Sequence, residues 1–571
     1  MTRASLVPAG LLICAAAAVA AIGASCGGRS STNESPDGST AGDGAGSSSG
    51  ASSGGSSGAS GGSGSSSGST GSSTGSSTGS SSGASTSSSG DSSTSSSGGV
   101  SSGSTGADVV QHHKNATRDG VYVDAALTPA ALATLHRDTT FTGTVTGQVY
   151  AQPLYVQNGP GGQEAFIVAT ESNHVVALSG TGATLWDKTY GTAATGGLPC
   201  GNIAVGGNSL GITGTPVIDL ASRTIYFDAM DSTSGLKHLI YAVSLDDGSI
   251  KSGWPLDASR LFTGGDSAHQ NERGALTLLG GTLYVPYGGH YGDCDPYKGR
   301  VVGVPVATPS AAKAWSTTAA GGGIWAAGGM ASDGTSVFPV TGNTQGTSAW
   351  GGGEAVVRVT AGPAFSGQPA DYFAPTNWQQ LDNTDIDLGG ASDVVFDMPG
   401  APASHLVAAF GKDGKLYLLN RDNLGGVGGQ LSITKVANGE INGAPGAYRT
   451  AQGQYVVFRA NSVGTCSSGG GNVGAVKITA GNPPSAKMAW CSADSNLGSP
   501  MVTTTDGTSN VVVWSANTRL YGYDGDTGAK VFSGGGTSDA MSPGMQYFNT
   551  PIAAKGRIAV ATAGHLYIFK P

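Results

Sequence analysis

The stretch His174-Val-Val-Ala-Leu-Ser-Gly-Thr-Gly-Ala-Thr-Leu-Trp186 contains the pattern that decides the fold of this chain. A short apolar run leads into a tight turn of Ser, Thr and Gly, and a second run ends in an aromatic residue. Glycine adopts positive φ in such turns, and small polar side chains hydrogen-bond to their own backbone. The pattern predicts two antiparallel strands joined by a hairpin.

The same unit recurs along the chain, and this internal repeat is the strongest signal in the sequence. It returns at Leu239–Gly248, with Trp254 beyond it, and at Arg519–Gly528, with Phe532 beyond it. Weaker copies of the unit are Arg300–Trp315, Lys415–Asn423, Asn472–Trp490 and His565–Phe569.

A second mark precedes most units: proline or glycine follows a polar or small residue and opens an apolar run. The pairs are Gln152-Pro153, Thr215-Pro216, Arg273-Gly274, Ala444-Pro445, Ser499-Pro500 and Thr550-Pro551. Proline is tolerated at the start of a strand, where no ladder N–H is needed. The spacing between successive marks runs from 51 to 63 residues. Two further units fit between Gly274 and Pro445, around Gly322–Val359 and Ser392–Arg421.

One central strand is predicted in each of the resulting eight units. These strands are Ala165–Thr170, Thr224–Ala229, Thr282–Tyr287, Ser336–Thr341, His405–Phe410, Tyr455–Arg459, Asn510–Ser515 and Arg557–Thr562. All-β repeats of roughly 40–60 residues are typical of β-propellers. The sequence therefore predicts an all-β, eight-bladed β-propeller, with one short helical turn at Pro129–His136.

The ends of the chain predict how the ring closes. The last unit stops at Pro571 after three strands, so we expect its fourth strand to come from the N-terminus, near Ala133–Phe141. A blade built from both ends removes the open sheet edge that would otherwise pair with other molecules. We expect the first folded strand to complete the last blade.

Low-complexity sequence precedes the repeats. Ser39–Gly106 is almost wholly Ser, Gly, Thr and Ala, with acids only at Asp43 and Asp91. A segment without apolar surface cannot offset the entropy lost on ordering, so we expect a disordered, flexible tether. The predicted domains are an export signal at residues 1–25, a linker at 26–107 and a folded domain at 108–571.

The N-terminal sequence has the features of a targeting signal. Arg3 precedes an apolar, small-residue run, as in an export signal. The run ends in Ile22-Gly23-Ala24-Ser25-Cys26, which resembles a bacterial lipobox, although lipoboxes prefer Leu where this chain has Gly23. Simple cleavage after Ala24 is the alternative. We expect an exported protein, periplasmic or at the cell surface, anchored to the membrane by a lipid on Cys26.

Four cysteines remain in the folded part: Cys200, Cys294, Cys466 and Cys491. An even number in an exported chain predicts two disulfides, for which three pairings are open. We favour Cys466–Cys491 because these residues are close in sequence, which leaves Cys200–Cys294. A zinc site is disfavoured because the sequence contains neither CxxC nor HExxH.

Composition excludes one class of partner. The 571 residues carry a formal charge of −9, and only 11% of them are charged. An acidic chain with sparse Lys and Arg lacks the electrostatic footprint of a nucleic-acid-binding protein.

The turn-and-Trp repeat is similar to the pyrroloquinoline quinone (PQQ) repeat of the quinoprotein alcohol dehydrogenase-like β-propellers, and within them to a bacterial, exported lipoprotein type. The similarity covers about residues 110–571. It is clearest in Gln148-Val-Tyr-Ala-Gln-Pro-Leu-Tyr-Val156, Gly211-Ile-Thr-Gly-Thr-Pro-Val-Ile-Asp219 and Gly321-Gly-Gly-Ile-Trp325. The resemblance implies that a dehydrogenase of this family would hold PQQ in its channel, stacked on a tryptophan beside a calcium or lanthanide ion.

Seven residues that stand near the starts of inner strands are candidate ligand-binding residues of the channel: Gln152, Thr213, Arg273, Trp325, Asp387, Asn442 and Asn549. Trp325 is the candidate floor for a quinone, and packing between blades is its alternative role. Asp387, with Asp382 and Asp385, suits a hard cation, but such carboxylates also cap tight turns. We favour the turn interpretation.

Arg273 is the candidate partner of an anion such as a quinone carboxylate. A structural ion pair with Glu272 or Asp393 is its alternative role. The other candidates would give the channel a mainly neutral, polar lining, whereas redox sites usually show a denser charged constellation.

The parts of a quinoprotein active site are incomplete in this sequence. It contains no adjacent cysteine pair and no CxxCH haem site. We therefore expect a non-catalytic binding or scaffold module at the cell envelope, without a cofactor or metal, that binds an envelope protein, a glycan or another surface ligand. One alternative is a PQQ-dependent dehydrogenase that uses Ca²⁺ and oxidises an alcohol or sugar. The other is a purely structural surface lipoprotein.

Overall fold

The computed structural model describes residues 107–571, except 197, 200, 202–208, 265–266, 292–293, 295 and 465–470. The described chain is almost entirely β and forms an eight-bladed propeller, as the sequence predicts. The export signal, the tether and Cys26 lie outside the described residues. So do Cys200 and Cys466, and both disulfide pairings therefore stay predictions.

In most blades, four strands that follow one another in sequence lie side by side and pair antiparallel. Blade 1 contains Leu154–Val156, Ala165–Ala169, His174–Ser179 and Thr184–Thr189; blade 2 contains Val217–Asp219, Thr224–Asp231, Lys237–Ser244 and Leu256–Asp257. Blade 3 contains Thr277–Leu279, Thr282–Gly289, Arg300–Pro305 and Lys313–Ser316; blade 4 contains Ala331–Ser332, Val337–Phe338, Val340–Thr341, Ala355–Val357 and Tyr372–Ala374.

The second half of the ring repeats this arrangement. Blade 5 contains Val394–Asp397, His405–Phe410, Lys415–Asn420 and Ser432–Lys435; blade 6 contains Gly446–Thr450, Gly453–Arg459, Val473–Thr479 and Ser485–Cys491. Blade 7 contains Met501–Thr504, Val512–Ala516, Leu520–Asp524 and Lys530–Ser533; blade 8 contains Ile552–Ala554, Arg557–Thr562, His565–Lys570 and His136–Arg137.

Short elements connect the blades. The α-helices are Pro129–Ala133, which falls at the predicted helical turn, and Trp378–Thr384, which was not predicted. The 3₁₀ helices are Pro160–Gly162, Ala258–Leu261, Pro309–Ala311, Pro369–Asp371, Leu388–Gly390 and Thr537–Asp539. Additional short strands are Ala194–Thr195, Ser209–Leu210, Gln270–Asn271, Ala320–Gly321, Thr344–Gln345 and Gly426–Val427.

The central strands match the predicted ones closely, and blade 4 shows the main exception. The expected strand Ser336–Thr341 is split into Val337–Phe338 and Val340–Thr341. Pro339 lies between the two halves, and its ring nitrogen has no hydrogen to donate to the ladder.

The closure of the ring by an N-terminal strand is confirmed. His136–Arg137 pairs antiparallel with Phe569 and Lys570 of blade 8. However, the first folded strand is Val121–Val123, which pairs in parallel with blade 7. The expectation that the first strand closes the ring was therefore wrong, because the chain crosses the channel before it reaches blade 8.

The aromatic residue of the repeat joins consecutive blades. The indole N–H of Trp186 in blade 1 donates to the Leu245 carbonyl oxygen in the hairpin of blade 2, at 3.0 Å. In the same hairpin Gly248 has φ +69°, and a Cβ there would lie 2.9 Å from Trp186 Cε3. The turn glycine is thus required both for its backbone conformation and for the indole that packs on it.

Residues Asp108–Val123, which we call the channel strap, run through the centre of the ring. Val109 pairs with Tyr155 of blade 1, and the Val110 carbonyl oxygen accepts from Ile218 of blade 2. At the far end of the strap, Val121–Val123 pairs with blade 7. The sequence did not predict this path.

Candidate site in the central channel

The polar residues that precede the inner strands bond neighbouring blades to one another. The backbone N–H of Gln152 donates to Thr215 Oγ1 at 2.9 Å, which joins blade 1 to blade 2. Asn549 Nδ2 donates to the Val149 carbonyl oxygen at 3.0 Å, which joins blade 8 to blade 1. At these two positions the predicted channel lining thus forms hydrogen bonds between neighbouring blades.

Gln152 also holds the channel strap. Its Oε1 accepts from the backbone N–H of His113 at 2.9 Å, and its Nε2 donates to the Gln111 carbonyl oxygen at 3.3 Å. Both atoms of this buried amide are therefore engaged by the chain's own N-terminal segment.

Trp325 lies at the channel, where it is only 6% exposed. The Arg273 guanidinium carbon is 5.6 Å from the indole centroid, which is a cation–π distance. The indole also lies near Asp387, and Gly342 stands between the two side chains. A Cβ atom added to Gly342 would lie 2.4 Å from Trp325 Cζ2 and 3.1 Å from Asp387 Oδ1. The structure therefore brings these three predicted site residues, Arg273, Trp325 and Asp387, into one region.

The carboxylates of this region are already bonded. Asp387 forms a fully buried ion pair with Lys412, and its Oδ1 accepts from the Asn343 backbone N–H at 2.9 Å. Asp385 also pairs with Lys412, at 3.2 Å, and ends the helix Trp378–Thr384 with φ +55°. These contacts agree with the turn-capping interpretation of this acidic stretch.

Asp382 serves the same structural purpose. It accepts from both the backbone N–H and the hydroxyl of Thr344, at 2.8 and 2.7 Å. Burial raises the pKa of its carboxyl to about 6.

Glu171 and Glu354 are also buried, and neither was among the candidates identified from the sequence. Glu171 accepts from the Gly211 N–H at 2.8 Å, and burial raises its pKa to about 7. Glu354 accepts from Leu388 N–H at 2.6 Å, and burial together with the nearby Asp387 raises its pKa. A glutamate inside a run of apolar and small residues was the signal that could have identified them.

Asn442 and Thr213 are two further candidates. Asn442 is buried, and its Nδ2 lies 3.4 Å from Glu440 Oε2. Thr213 lines a cavity between the channel strap and the aromatic side chains of Tyr150, Trp325 and Phe548. The cavity has a volume of about 10 Å³ and is lined by His112, Tyr150, Thr213, Thr215, Arg273, Trp325, Ala327 and Phe548.

The arrangement does not fit PQQ with a calcium ion. A cavity of about 10 Å³ has room for about one water molecule, whereas PQQ is a tricyclic quinone with three carboxylates. Arg273 already contacts the Trp325 ring, and Asp387 already pairs with Lys412. Among the residues that the structure describes, no three His, Cys, Asp or Glu side chains are grouped to hold a metal ion.

No family model matches the chain, and no curated protein matches it. Solved structures do. The quinohemoprotein alcohol dehydrogenase of Comamonas testosteroni matches with a TM-score of 0.54 at 14% identity, over 81% of this chain and 80% of that one. The quinohemoprotein alcohol dehydrogenase ADHIIG of Pseudomonas putida HK5 matches with a TM-score of 0.56 at 12% identity, over 81% and 80%.

A europium-containing methanol dehydrogenase matches with a TM-score of 0.52 at 13% identity, over 81% of this chain and 98% of that chain. In the described part of the chain, no helix is both long enough and apolar enough to span a membrane. At these identities the matches establish the fold but not the activity, which has to be inferred from the residues of the site. The chain therefore has the eight-bladed β-propeller fold that is also found in quinoprotein alcohol and methanol dehydrogenases.

Proposed function

We propose that this protein is a non-catalytic binding or scaffold module of the cell envelope, exported and held to the membrane by a lipid on Cys26. The observation that carries the proposal is the channel itself. Beside Trp325, the candidate floor for a quinone, the described residues leave a cavity of only about 10 Å³ against the channel strap.

Charge pairing in the channel supports the same proposal. A redox site needs groups poised to exchange protons or to bind an ion. Here the Lys412 ammonium pairs with both Asp385 and Asp387, so both of these carboxylates already have a cationic partner within the protein. Both the Asp387 and the Lys412 side chains are fully buried.

A propeller without a channel site still offers a partner two rigid faces built from loops. The partner classes that suit an exported module are an envelope protein, a glycan or another surface ligand. The long Ser/Gly-rich segment supports this role, because a coil of about 80 residues has a mean reach of roughly 50 Å. Such reach suits contact with a partner away from the membrane better than electron transfer to a quinone within it.

A PQQ-dependent dehydrogenase is the second candidate function. It is favoured by the fold and by the meeting of Arg273, Trp325 and Asp387 at the channel. It requires the cavity to open far enough to admit the cofactor.

One experiment separates the two candidates. The full protein is purified from the periplasm of a host supplied with PQQ, its absorption spectrum is recorded, and dye-linked oxidation of alcohols and sugars is measured with PQQ and Ca²⁺ added. We expect neither a quinone spectrum nor turnover. Turnover that is lost in Arg273→Ala or Asp387→Ala, and retained in the exposed control Arg260→Ala, would establish the dehydrogenase instead.

A further inference from the structure

We propose that the central channel is a peptide-binding site whose ligand is the channel strap, Asp108–Val123, and that this binding fastens the N-terminal tether to the propeller. The inference goes beyond the proposed function and does not depend on what the outer faces of the propeller bind.

The backbone of the strap bonds to the inner strands in their order around the ring. Its carbonyl oxygens accept from backbone N–H groups of blades 2, 4, 5, 6 and 7 at 2.7 to 3.0 Å. The accepting and donating residues are Val110 and Ile218, Ala116 and Ser332, Thr117 and Val395, Asp119 and Ala447, and Gly120 and Val502.

The remaining blades are reached at other points. Val109 and Tyr155 of blade 1 exchange two backbone hydrogen bonds of 2.7 and 2.9 Å. His112 Nε2 lies 3.4 Å from Thr550 Oγ1 of blade 8. With Arg118 on blade 3, the strap contacts every blade of the ring.

Arg118 is the side-chain anchor of the strap. It is fully buried, and its guanidinium donates to the Leu276 carbonyl oxygen at 2.9 Å and to Thr277 Oγ1 at 2.8 Å. It also donates to the carbonyl oxygen of His112 within the strap, at 2.8 Å. A buried cation is tolerated only where such hydrogen bonds replace those of water, so the site fits this residue specifically.

The strap is folded tightly against this anchor. His113, Lys114 and Arg118 all have positive φ, of 54°, 65° and 60°, which is uncommon for residues other than glycine. Such conformations persist where the surroundings over-determine them. Here the rings of His112 and His113 stack at 4.4 Å, and His113 Nδ1 lies 3.1 Å from the Arg118 carbonyl oxygen.

The position of Asp108 connects this site to the tether. Its carboxylate accepts from the backbone N–H of Gln157, at the first turn of blade 1, at 2.6 Å. A pull on the chain before Asp108 therefore acts on a segment bonded to all blades. If the tether were instead joined to one edge strand, the same pull would act on a single blade.

The test uses the full chain with a protease site inserted between Ala125 and Ala126, two exposed residues that follow the strap. After cleavage, a bound strap keeps the N-terminal fragment on the propeller, and we expect both fragments to elute together in size-exclusion chromatography. Release of the fragment from the cleaved wild-type chain would overturn the proposal, whether or not the propeller keeps its unfolding midpoint.

Variants then locate the binding. We expect Arg118→Ala to speed release of the cleaved fragment at least about tenfold, and the exposed control Arg260→Ala to leave it unchanged. Thr277→Val removes one acceptor of Arg118 from the propeller side, and it provides the same measurement if Arg118→Ala does not fold. Equal release rates for Thr277→Val, Arg260→Ala and the wild type would contradict the assigned site.

Discussion

The backbone N–H of Asp138 donates a hydrogen bond of 2.7 Å to the carbonyl oxygen of Ile568, so that the segment after the channel strap meets the last strand in blade 8. This bond extends the pairing of His136–Arg137 with the last strand. The Asp138 carboxylate also forms an ion pair with Lys570, at 2.7 Å. Backbone and side chain of one residue thus contribute separately to ring closure.

Asp138→Pro tests the contribution of the backbone. Proline cannot donate to Ile568, and the loss of this closing bond should lower the free energy of unfolding by about 1–3 kcal/mol. Asp138→Ala is the matched control, which keeps the N–H and loses the side-chain contacts, namely the ion pair with Lys570 and the two hydrogen bonds from Thr140, at a cost of about 1 kcal/mol. Chemical denaturation measures both variants. Equal stability of the two would show that the backbone bond does not close the ring.

Gly342→Ala tests the contact between Trp325 and the acidic stretch. The added Cβ would lie 2.4 Å from Trp325 Cζ2, so the indole must move or the strand must shift. We expect a loss of about 1–3 kcal/mol in the free energy of unfolding and a change in tryptophan fluorescence. Gly536→Ala is the control, since its nearest neighbouring atom would lie 3.6 Å away. A Gly342→Ala variant with unchanged stability and fluorescence would refute this packing.

Glu171 should make stability depend on pH. Burial raises the pKa of its carboxyl from 4.5 to about 7 in the folded protein. The folded state then holds a proton that the unfolded state has released, so this group's contribution to stability falls as the pH rises from about 4.5 to about 7. Glu171→Gln keeps an acceptor for the Gly211 N–H and removes the titration.

We therefore expect the stability of Glu171→Gln, relative to the wild type, to increase between pH 5 and pH 8 by up to about 3 kcal/mol. The comparison of variant with wild type cancels the opposite effect of His113, whose pKa burial lowers to about 4. Urea denaturation at a series of pH values measures the difference. Parallel curves for the two proteins would mean that Glu171 ionises normally in the folded state.

Cys26→Ala tests the proposed membrane anchor. Cells grown with radioactive palmitate should label the wild-type protein, and the variant should lose the label because the thiol that carries the lipid is gone. Cys491→Ala serves as a cysteine control that should retain the label. Labelling that survives in Cys26→Ala, or a mature protein that begins at Ser25, would remove the anchor from the proposal.

The blades themselves could be predicted because their information is local. The hairpin at Leu239–Gly248 combines alternating apolar residues with turn residues that accept positive φ, and both properties are visible within ten residues. Two repeat tryptophans have equivalent partners, since Trp186 and Trp490 each bond to the hairpin of the following blade. Eight copies and three terminal strands were then enough to predict closure near Ala133–Phe141.

What fills the channel was decided only by the tertiary structure. Arg118 contacts Leu276, 158 residues later in the chain. Lys412 meets Asp385 and Asp387 because the hairpin loop of blade 5 returns beside the segment that leads into that blade. The sequence by itself determined a ring of eight sheets and the polar residues at its inner edge, since turns and strand alternation act over a few residues. Whether those residues face open space depends on the position of a segment that is distant in sequence. In this protein the channel strap lies against them.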